Sequence, residues 1–136
     1  MSGDFHPKPL PAVTELNRPF WEGCKQGKLL LQYCDRCQQH QFYPRLYCMR
    51  CGSTVVRWVE ASHGVIYSYI IIHQNKSSEF VRDTPYNVAV VQLEEGLRVM
   101  SNIVETDPTE LCINLPVAVV FDAVSDHIHL PRFKAE

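Results

Sequence analysis

The sequence lacks any apolar run approaching the ~18 residues that a membrane-crossing helix needs. Its longest near-candidate, residues 65–72, is interrupted by Ser68, so a transmembrane role is not expected. A secretory leader is also missing: where a basic start and an apolar stretch would stand, residues 1–11 hold Asp4, His6 and three prolines. A soluble, cytoplasmic protein is therefore expected. Excess positive charge is absent as well. Thirteen Lys and Arg against 15 Asp and Glu give a net charge of -2 and a pI near 6.3, which disfavours a protein whose main task is to grip a polyanion. The motifs of common catalysts are missing too. No GxSxG nucleophile elbow, GxxxxGK[ST] loop or GxGxxG fingerprint occurs. His6, His40, His63, His73, His127 and His129 are scattered, with no serine or cysteine at a motif spacing. Glu94 and Glu95 read as solvated charge at a hairpin tip. An enzyme acting alone is poorly supported.

What the sequence has is cysteine, six in 136 residues. In a reducing compartment these do not form a disulfide framework, and their spacing has to be read for metal or chemistry. Four fall as Cys34-x2-Cys37 and Cys48-x2-Cys51, two knuckles that a short hairpin can bring together. Structural zinc takes four soft, deprotonated ligands in a tetrahedron, and a shell filled by thiolates leaves no position for water or substrate. The metal is thus expected to be structural zinc. The same S4 shell suits iron, which keeps a rubredoxin-like electron carrier open as an alternative. His40 is read as a loop histidine rather than a ligand, and Cys24 and Cys112 as small core residues. Gly52 follows Cys51, as a knuckle turn with positive φ favours, whereas Gln38 follows Cys37; glutamine in that conformation costs on the order of 1 kcal/mol.

Along the chain, residues 1–13 read as an extended, proline-punctuated arm. A short helix follows, with Asn17 as its cap, Pro19 in its first turn and Gly27 as its stop. Phe20 and Cys24 recur at i, i+4, and Trp21 widens the apolar face. Strands at 29–33 and 41–44 lead into the two knuckles, making residues 14–61 a helix plus zinc ribbon whose folding leans on its metal. Residues 62–136 show strands at 65–73, 86–93, 97–104, 116–123 and 127–133 with turn signals between them. Glu94-Glu95-Gly96 closes a three-residue hairpin, and residues 107–110 form a turn. The fold class is mainly β: an N-terminal helix and zinc ribbon followed by a five-stranded Greek-key barrel of the OB type. The connection at 74–85 is long enough to suggest a contact role, for which Phe80 and Arg82 are the candidates.

Ribbons and OB barrels both occur in nucleic-acid proteins, so that function is the natural competitor. Residues 1–61 hold eight Lys and Arg against five Asp and Glu, and residues 62–136 hold five against ten. The halves therefore carry +3 and -5. An S4 zinc site contributes about -2, leaving the first half only weakly basic. An acidic barrel repels phosphates, and the tyrosines at 67, 69 and 86 read as sheet packing rather than a stacking platform.

Phe20-Trp21-Glu22-Gly23, Gly27-Lys28-Leu29, the paired knuckles around Phe42-Tyr43-Pro44-Arg45, Trp58, Gly64-Val65-Ile66-Tyr67-Ser68, Pro85-Tyr86 and Leu93-Glu94-Glu95-Gly96 together resemble the DUF35 family of acyl-CoA-associated proteins. The likeness runs over residues 14–134. It departs at Gln38 and at Asn114-Leu115, where a glycine often precedes the fourth barrel strand; asparagine tolerates the left-handed conformation. The resemblance implies a non-catalytic accessory subunit bound to a thiolase, a thiolase-like aldolase or acyltransferase, or a hydratase. On that reading Cys34, Cys37, Cys48 and Cys51 hold the ribbon, Phe20 and Trp21 with the ribbon dock on the enzyme, and the 74–85 loop borders an acyl-CoA entrance shared with the partner. It also implies that the basic half lies near a CoA phosphate while the acidic half faces the partner.

Overall fold

A computed structural model describes residues 10–73 and 85–136. Its element order is α1 (Arg18–Lys25), β1 (Leu29–Cys34), β2 (Gln39–Gln41), β3 (Val56–Ala61), β4 (His63–Ile72), β5 (Tyr86–Leu93), β6 (Arg98–Ser101), β7 (Pro116–Ala123) and β8 (His129–Ala135), with one 3-10 turn at Pro108–Glu110. The strands form two antiparallel sheets, a three-stranded ribbon in the order β2-β1-β3 and a five-stranded sheet in the order β6-β5-β4-β7-β8.

The helix begins where expected, but Asn17 does not cap it with its side chain. The Asn17 carboxamide turns back instead, accepting from the Thr14 N–H at 2.7 Å and donating to the Ala12 carbonyl at 3.1 Å, so it fixes the chain entering the helix. Pro19 is accommodated because the first-turn N–H groups have no partner inside the helix anyway. Phe20 and Cys24 are buried as their i, i+4 spacing requires. Gly23 makes the docking close: a Cβ there would lie 2.8 Å from Leu30 Cδ1.

The ribbon differs from expectation in two places. Its return strand is Gln39–Gln41 rather than 41–44, because the first knuckle closes through a Gln38 N–H to Cys34 carbonyl bond of 2.8 Å and pairing resumes at once. It also contains a third strand that the sequence reading did not separate. All six residues of β3 pair with β1, from Leu29↔Ala61 to Cys34↔Val56. The β-branched run around Trp58 suits such a pleated, half-buried surface.

The second sheet curls into a five-stranded half-barrel consistent with an OB fold. Expected strands 86–93 and 116–123 are found with those bounds. The third strand stops early, at Ser101 rather than 104, and Asn87 explains why. Its carboxamide accepts from the Ile103 N–H at 2.7 Å and donates to the Ile103 carbonyl at 2.8 Å, replacing the ladder bonds that β5 would otherwise supply. Released from β5, the chain bridges β8 in parallel at Ile103↔Phe133, with Val104 N–H on the Phe133 carbonyl at 2.7 Å. The hairpin at residues 94–96 and the turn capped by Asp107, which accepts from Thr109 N–H at 2.9 Å, form as expected. Asn114 adopts φ 70°, the left-handed conformation anticipated for it.

Ribbon and barrel are not separately packed. Phe20, Cys24, Leu29, Leu31 and Ala61 of the first half join Ile66, Val91, Leu93, Val117 and Phe133 of the barrel in one apolar cluster. The ribbon therefore does not rely on metal alone. Cys24 lies in this cluster as expected, and burial pushes its thiol up to about 12. Cys112 does not: it is exposed, because the turn after the 3-10 segment directs Leu111 inward and leaves its neighbour outside.

Gly64 sits where β4 and β5 approach closely. A Cβ there would stand 2.5 Å from the Gln92 carbonyl oxygen, a backbone atom that cannot step aside. Gly64→Ala is expected to destabilise the protein by roughly 1–3 kcal/mol, the range for overpacking, read as a lowered denaturant midpoint with unchanged slope.

Candidate functional site

Four cysteine sulfurs converge at the end of β1. The Sγ atoms of Cys34, Cys37, Cys48 and Cys51 all lie within 4.8 Å of one another, with Cys34 to Cys51 at 3.6 Å and Cys37 to Cys48 at 3.3 Å. In a tetrahedral site, bonds of about 2.3 Å place neighbouring sulfurs about 3.8 Å apart, so the donor set fits zinc with small side-chain adjustments. Cys34 and Cys48 are buried, while Cys37 and Cys51 are half-buried. His40 lies outside this group; it sits on β2 with its ring 4.8 Å from that of Tyr33.

The backbone prepares the sulfurs for a cation. The Cys48 thiol is pulled down to about 6, first by the Cys51 N–H and then by the Arg50 N–H, whose nitrogen lies 3.4 Å from the sulfur. Cys37 is pushed up to about 12, chiefly by its hydrogen bond with Cys48 and then by burial and the other thiols. Four close sulfurs without a metal thus do not all ionise at neutral pH, and a bound dication removes that conflict. Both turns have the left-handed residue that a knuckle needs, Gly52 at φ 75° and Gln38 at φ 56° despite its side chain, so the first knuckle keeps the usual turn.

Two residues that sequence reasoning missed hold the second knuckle against the first. Gln32 is the only buried polar residue named among the described core positions, 3% exposed. Its amide donates to the Arg45 carbonyl at 2.9 Å and its oxygen accepts from the Arg45 N–H at 2.8 Å. Gln41 donates to the same Gln32 oxygen at 2.8 Å and to the Tyr47 carbonyl at 3.1 Å, and accepts from the Met49 N–H at 2.9 Å. The loop at 43–49 thereby finds side-chain partners for backbone groups that no strand supplies. The available signal was a lone glutamine inside Leu29-Leu30-Leu31-Gln32-Tyr33.

A groove of about 430 Å³ opens where helix, ribbon loop and barrel meet, walled among others by Leu16, Trp21, Phe42, Pro44, Met100 and Pro131. Of the expected contact residues, Phe20 is turned into the core at 4% exposure, against Trp21 and Phe42 at ring distances of 4.9 and 5.4 Å. The helix packs on its own chain, so Phe20 reaches a partner only as the inner wall of this groove, whereas Trp21 is half-buried. Phe80 and Arg82 lie outside the described residues. Of the strand tyrosines, Tyr69 donates to the Leu111 carbonyl at 3.0 Å, and Tyr67 lies under the Arg98 guanidinium, 3.7 Å from its ring centre. No helix among the described residues is long and apolar enough to cross a membrane.

With this geometry the comparisons agree. Residues 21–57 match the family model described as the ChsH2 rubredoxin-like zinc ribbon domain, and residues 58–122 match that of the ChsH2 C-terminal OB-fold domain. A DUF35 domain-containing scaffold protein of Methanothermobacter thermautotrophicus is 36% identical over 116 residues, covering 84% of this chain and 86% of its own. The chain belongs to the DUF35 family. A probable enoyl-CoA hydratase alpha subunit of Thermomonospora curvata is 34% identical over 93% of this chain. The match spans only 40% of that relative's length. Among solved structures, one described as the Ltp2-ChsH2(DUF35) aldolase superposes with a TM-score of 0.82 at 34% identity, covering 93% of this chain and 98% of that one. A DUF35 protein from Sulfolobus solfataricus, 17% identical with a TM-score of 0.63, shares the fold.

Structural zinc, the metal of the rubredoxin-like ribbon, fits the four cysteines of this DUF35 chain. The purified protein is expected to be colourless, with about one zinc per chain by elemental analysis; a coloured iron centre would contradict this. Cys48→Ser should lose the metal and unfold the ribbon, seen as protease sensitivity at 43–55. Because protons compete with the metal for the sulfurs, acidification should release zinc, and a zinc-chelating dye will follow the release. Gln32→Leu, which strands the Arg45 backbone groups, should cost about 1–3 kcal/mol in chemical denaturation and speed zinc loss to a chelator.

Proposed function

We propose that this chain is a non-catalytic accessory subunit of an acyl-CoA-metabolising complex, docking on a thiolase-like enzyme or a hydratase and helping to shape its acyl-CoA site. The observation that carries this reading is the match, over nearly the full length of both chains, to the DUF35 chain of an aldolase complex. Relatives described as hydratase alpha subunits, one of them a 3-oxo-4,17-pregnadiene-20-carboxyl-CoA hydratase alpha subunit of Mycobacterium tuberculosis, support it from a second direction. Cys34, Cys37, Cys48 and Cys51 act as the ligands of a purely structural zinc. Helix and ribbon (14–61) and barrel (62–136) work as the two parts of one cytoplasmic adaptor.

The groove beside Trp21 is where this chain would border the acyl group. It is apolar, lies at the junction of three elements and is the place where Phe20 and Trp21 enter the site. Phe80 and Arg82 are the further candidates for contact with CoA or partner. The chemistry itself belongs to the partner's residues.

Affinity purification from the native organism should recover a thiolase-, aldolase- or hydratase-like enzyme with this chain, and that enzyme's turnover should fall at least tenfold without it. Recovery of no such enzyme, with the chain stable alone, would sink the proposal. Acyl-CoA added to the complex should change Trp21 emission, assigned by comparison with Trp21→Phe.

A further inference from the structure

The apolar groove beside Trp21 has a polar end, where Asn102 and Arg132 join its wall. Arg132 Nε donates to Asp122 Oδ2 at 3.1 Å, and its Nη1 donates to the Asn102 carboxamide oxygen. Asn102 is itself anchored, its amide donating to the Asn87 carbonyl. The guanidinium is thus clamped from two sides. Its other terminal nitrogen, Nη2, makes no hydrogen bond or ion pair among the described residues, although the side chain is only 22% exposed.

The other polar groups of this wall divide into spent and unspent. The Asn17 carboxamide is committed to Thr14 and Ala12, and the Ser101 hydroxyl donates to the Pro131 carbonyl at 3.0 Å. Trp21 differs: its indole N–H is buried and has no hydrogen-bond partner. Buried donors are nearly always paired, so one left over in the wall of a cavity calls for an acceptor that this wall does not hold. Arg132 Nη2 and Trp21 Nε1 can both only donate. What completes the wall is an oxygen brought from outside.

The charge around Arg132 narrows the kind of oxygen. Asp122 already neutralises the guanidinium, so a carboxylate or phosphate would give up its water on an apolar wall and meet a like charge beside its partner. A neutral keto or hydroxyl oxygen meets the same donors without that cost. The volume of about 430 Å³ suits a small molecule rather than a peptide segment.

We propose that this groove selects acyl groups by a neutral oxygen: it takes an apolar chain or ring that carries a keto or hydroxyl group far from the thioester. Arg132, held by Asp122 and Asn102, is the first donor to that oxygen. The Trp21 N–H is the second, brought into reach by a turn of its ring as the ligand enters. The assignment rests on the accessory role above, because the thioester has to reach the partner's residues and the groove then holds the opposite end.

The test uses the full-length chain, alone and with the enzyme recovered with it, and three probes: octanoyl-CoA, its analogue with a keto oxygen on the penultimate carbon, and its analogue ending in a carboxylate. Affinities come from calorimetry, and the Trp21 indole N–H is followed by nitrogen-15 NMR, assigned with Trp21→Phe. The keto probe should bind about tenfold tighter than octanoyl-CoA, the worth of roughly one hydrogen bond, and shift the indole signal. Arg132→Lys should erase that preference while leaving octanoyl-CoA affinity within twofold. Met100→Trp, which fills the groove from its exposed rim without touching the polar end, should weaken all three probes at least tenfold. Equal binding of octanoyl-CoA and the keto probe would overturn the selection, and tightest binding of the carboxylate probe would make the groove an anion site instead. If the enzyme is recovered and turns over acyl-CoA but Met100→Trp changes neither binding nor turnover, the groove is not the acyl site and the accessory role stands. If no such enzyme is recovered yet the chain prefers the keto probe and loses it in Met100→Trp, the accessory role falls and the groove remains a site for oxygenated apolar ligands.

Discussion

The N-terminal half of this molecule depends on the mutual repulsion of four sulfurs being overcome at one point. Without a cation, thiols at 3.3 and 3.6 Å share protons unevenly, one sulfur holding its proton far above neutrality while another gives it up below. A dication turns that conflict into four bonds. Once it does, the turns at Cys34–Cys37 and Cys48–Cys51 cannot separate, and the ten residues between Cys37 and Cys48 become a closed loop whose backbone must find partners close by. The two glutamines meet that demand. Metal and amides are thus complementary: the metal sets where the loop ends lie, and the amides set the path between them.

The barrel imposes a second constraint on the same half. Because Leu29, Leu31 and Ala61 share a core with Val91, Val117 and Phe133, the ribbon's orientation is fixed by apolar burial as well as by the link at Ser62. A chain this short buries a modest fraction of its surface, and pooling one core between two sheets is a way for neither part to be marginal alone. The groove at their junction follows from this packing. Where helix, loop and strand curvature diverge, side chains of differing length leave room between them.

Much of this was legible in the sequence because the signals were local. Two CxxC knuckles at a short separation leave little choice of fold and narrow the metal to zinc or iron, and β5 and β7 announced themselves through β-branched runs bounded by turn residues. Gln38 stood out as a departure from the usual knuckle glycine, and Asn114 as a residue that tolerates the left-handed conformation where the family resemblance has glycine; both have positive φ. What was not legible depends on distant pairings. Nothing near residue 103 signals that Asn87 will capture its backbone and stop β6 early, since that bond spans sixteen residues. The strand at 56–61 went unseparated because it follows a knuckle and finds its partner back across the metal site. Asn17 shows the limit of residue preference: a good capping residue turned to a different task when the preceding turn offered it better-placed partners. Cys112 failed as a core residue because apolar neighbours in sequence do not fix which side of a turn faces inward.

The pair Gln32 and Gln41 has one further consequence. A loop whose carbonyls and amides are already bonded has little conformational entropy left to surrender on association. A surface carried on such a loop meets its partner in the bound shape, so encounters succeed without a folding step and side-chain contacts are left to govern how long the complex lasts. One buried and one half-buried carboxamide, far from any chemistry, would then set the lifetime of an assembly.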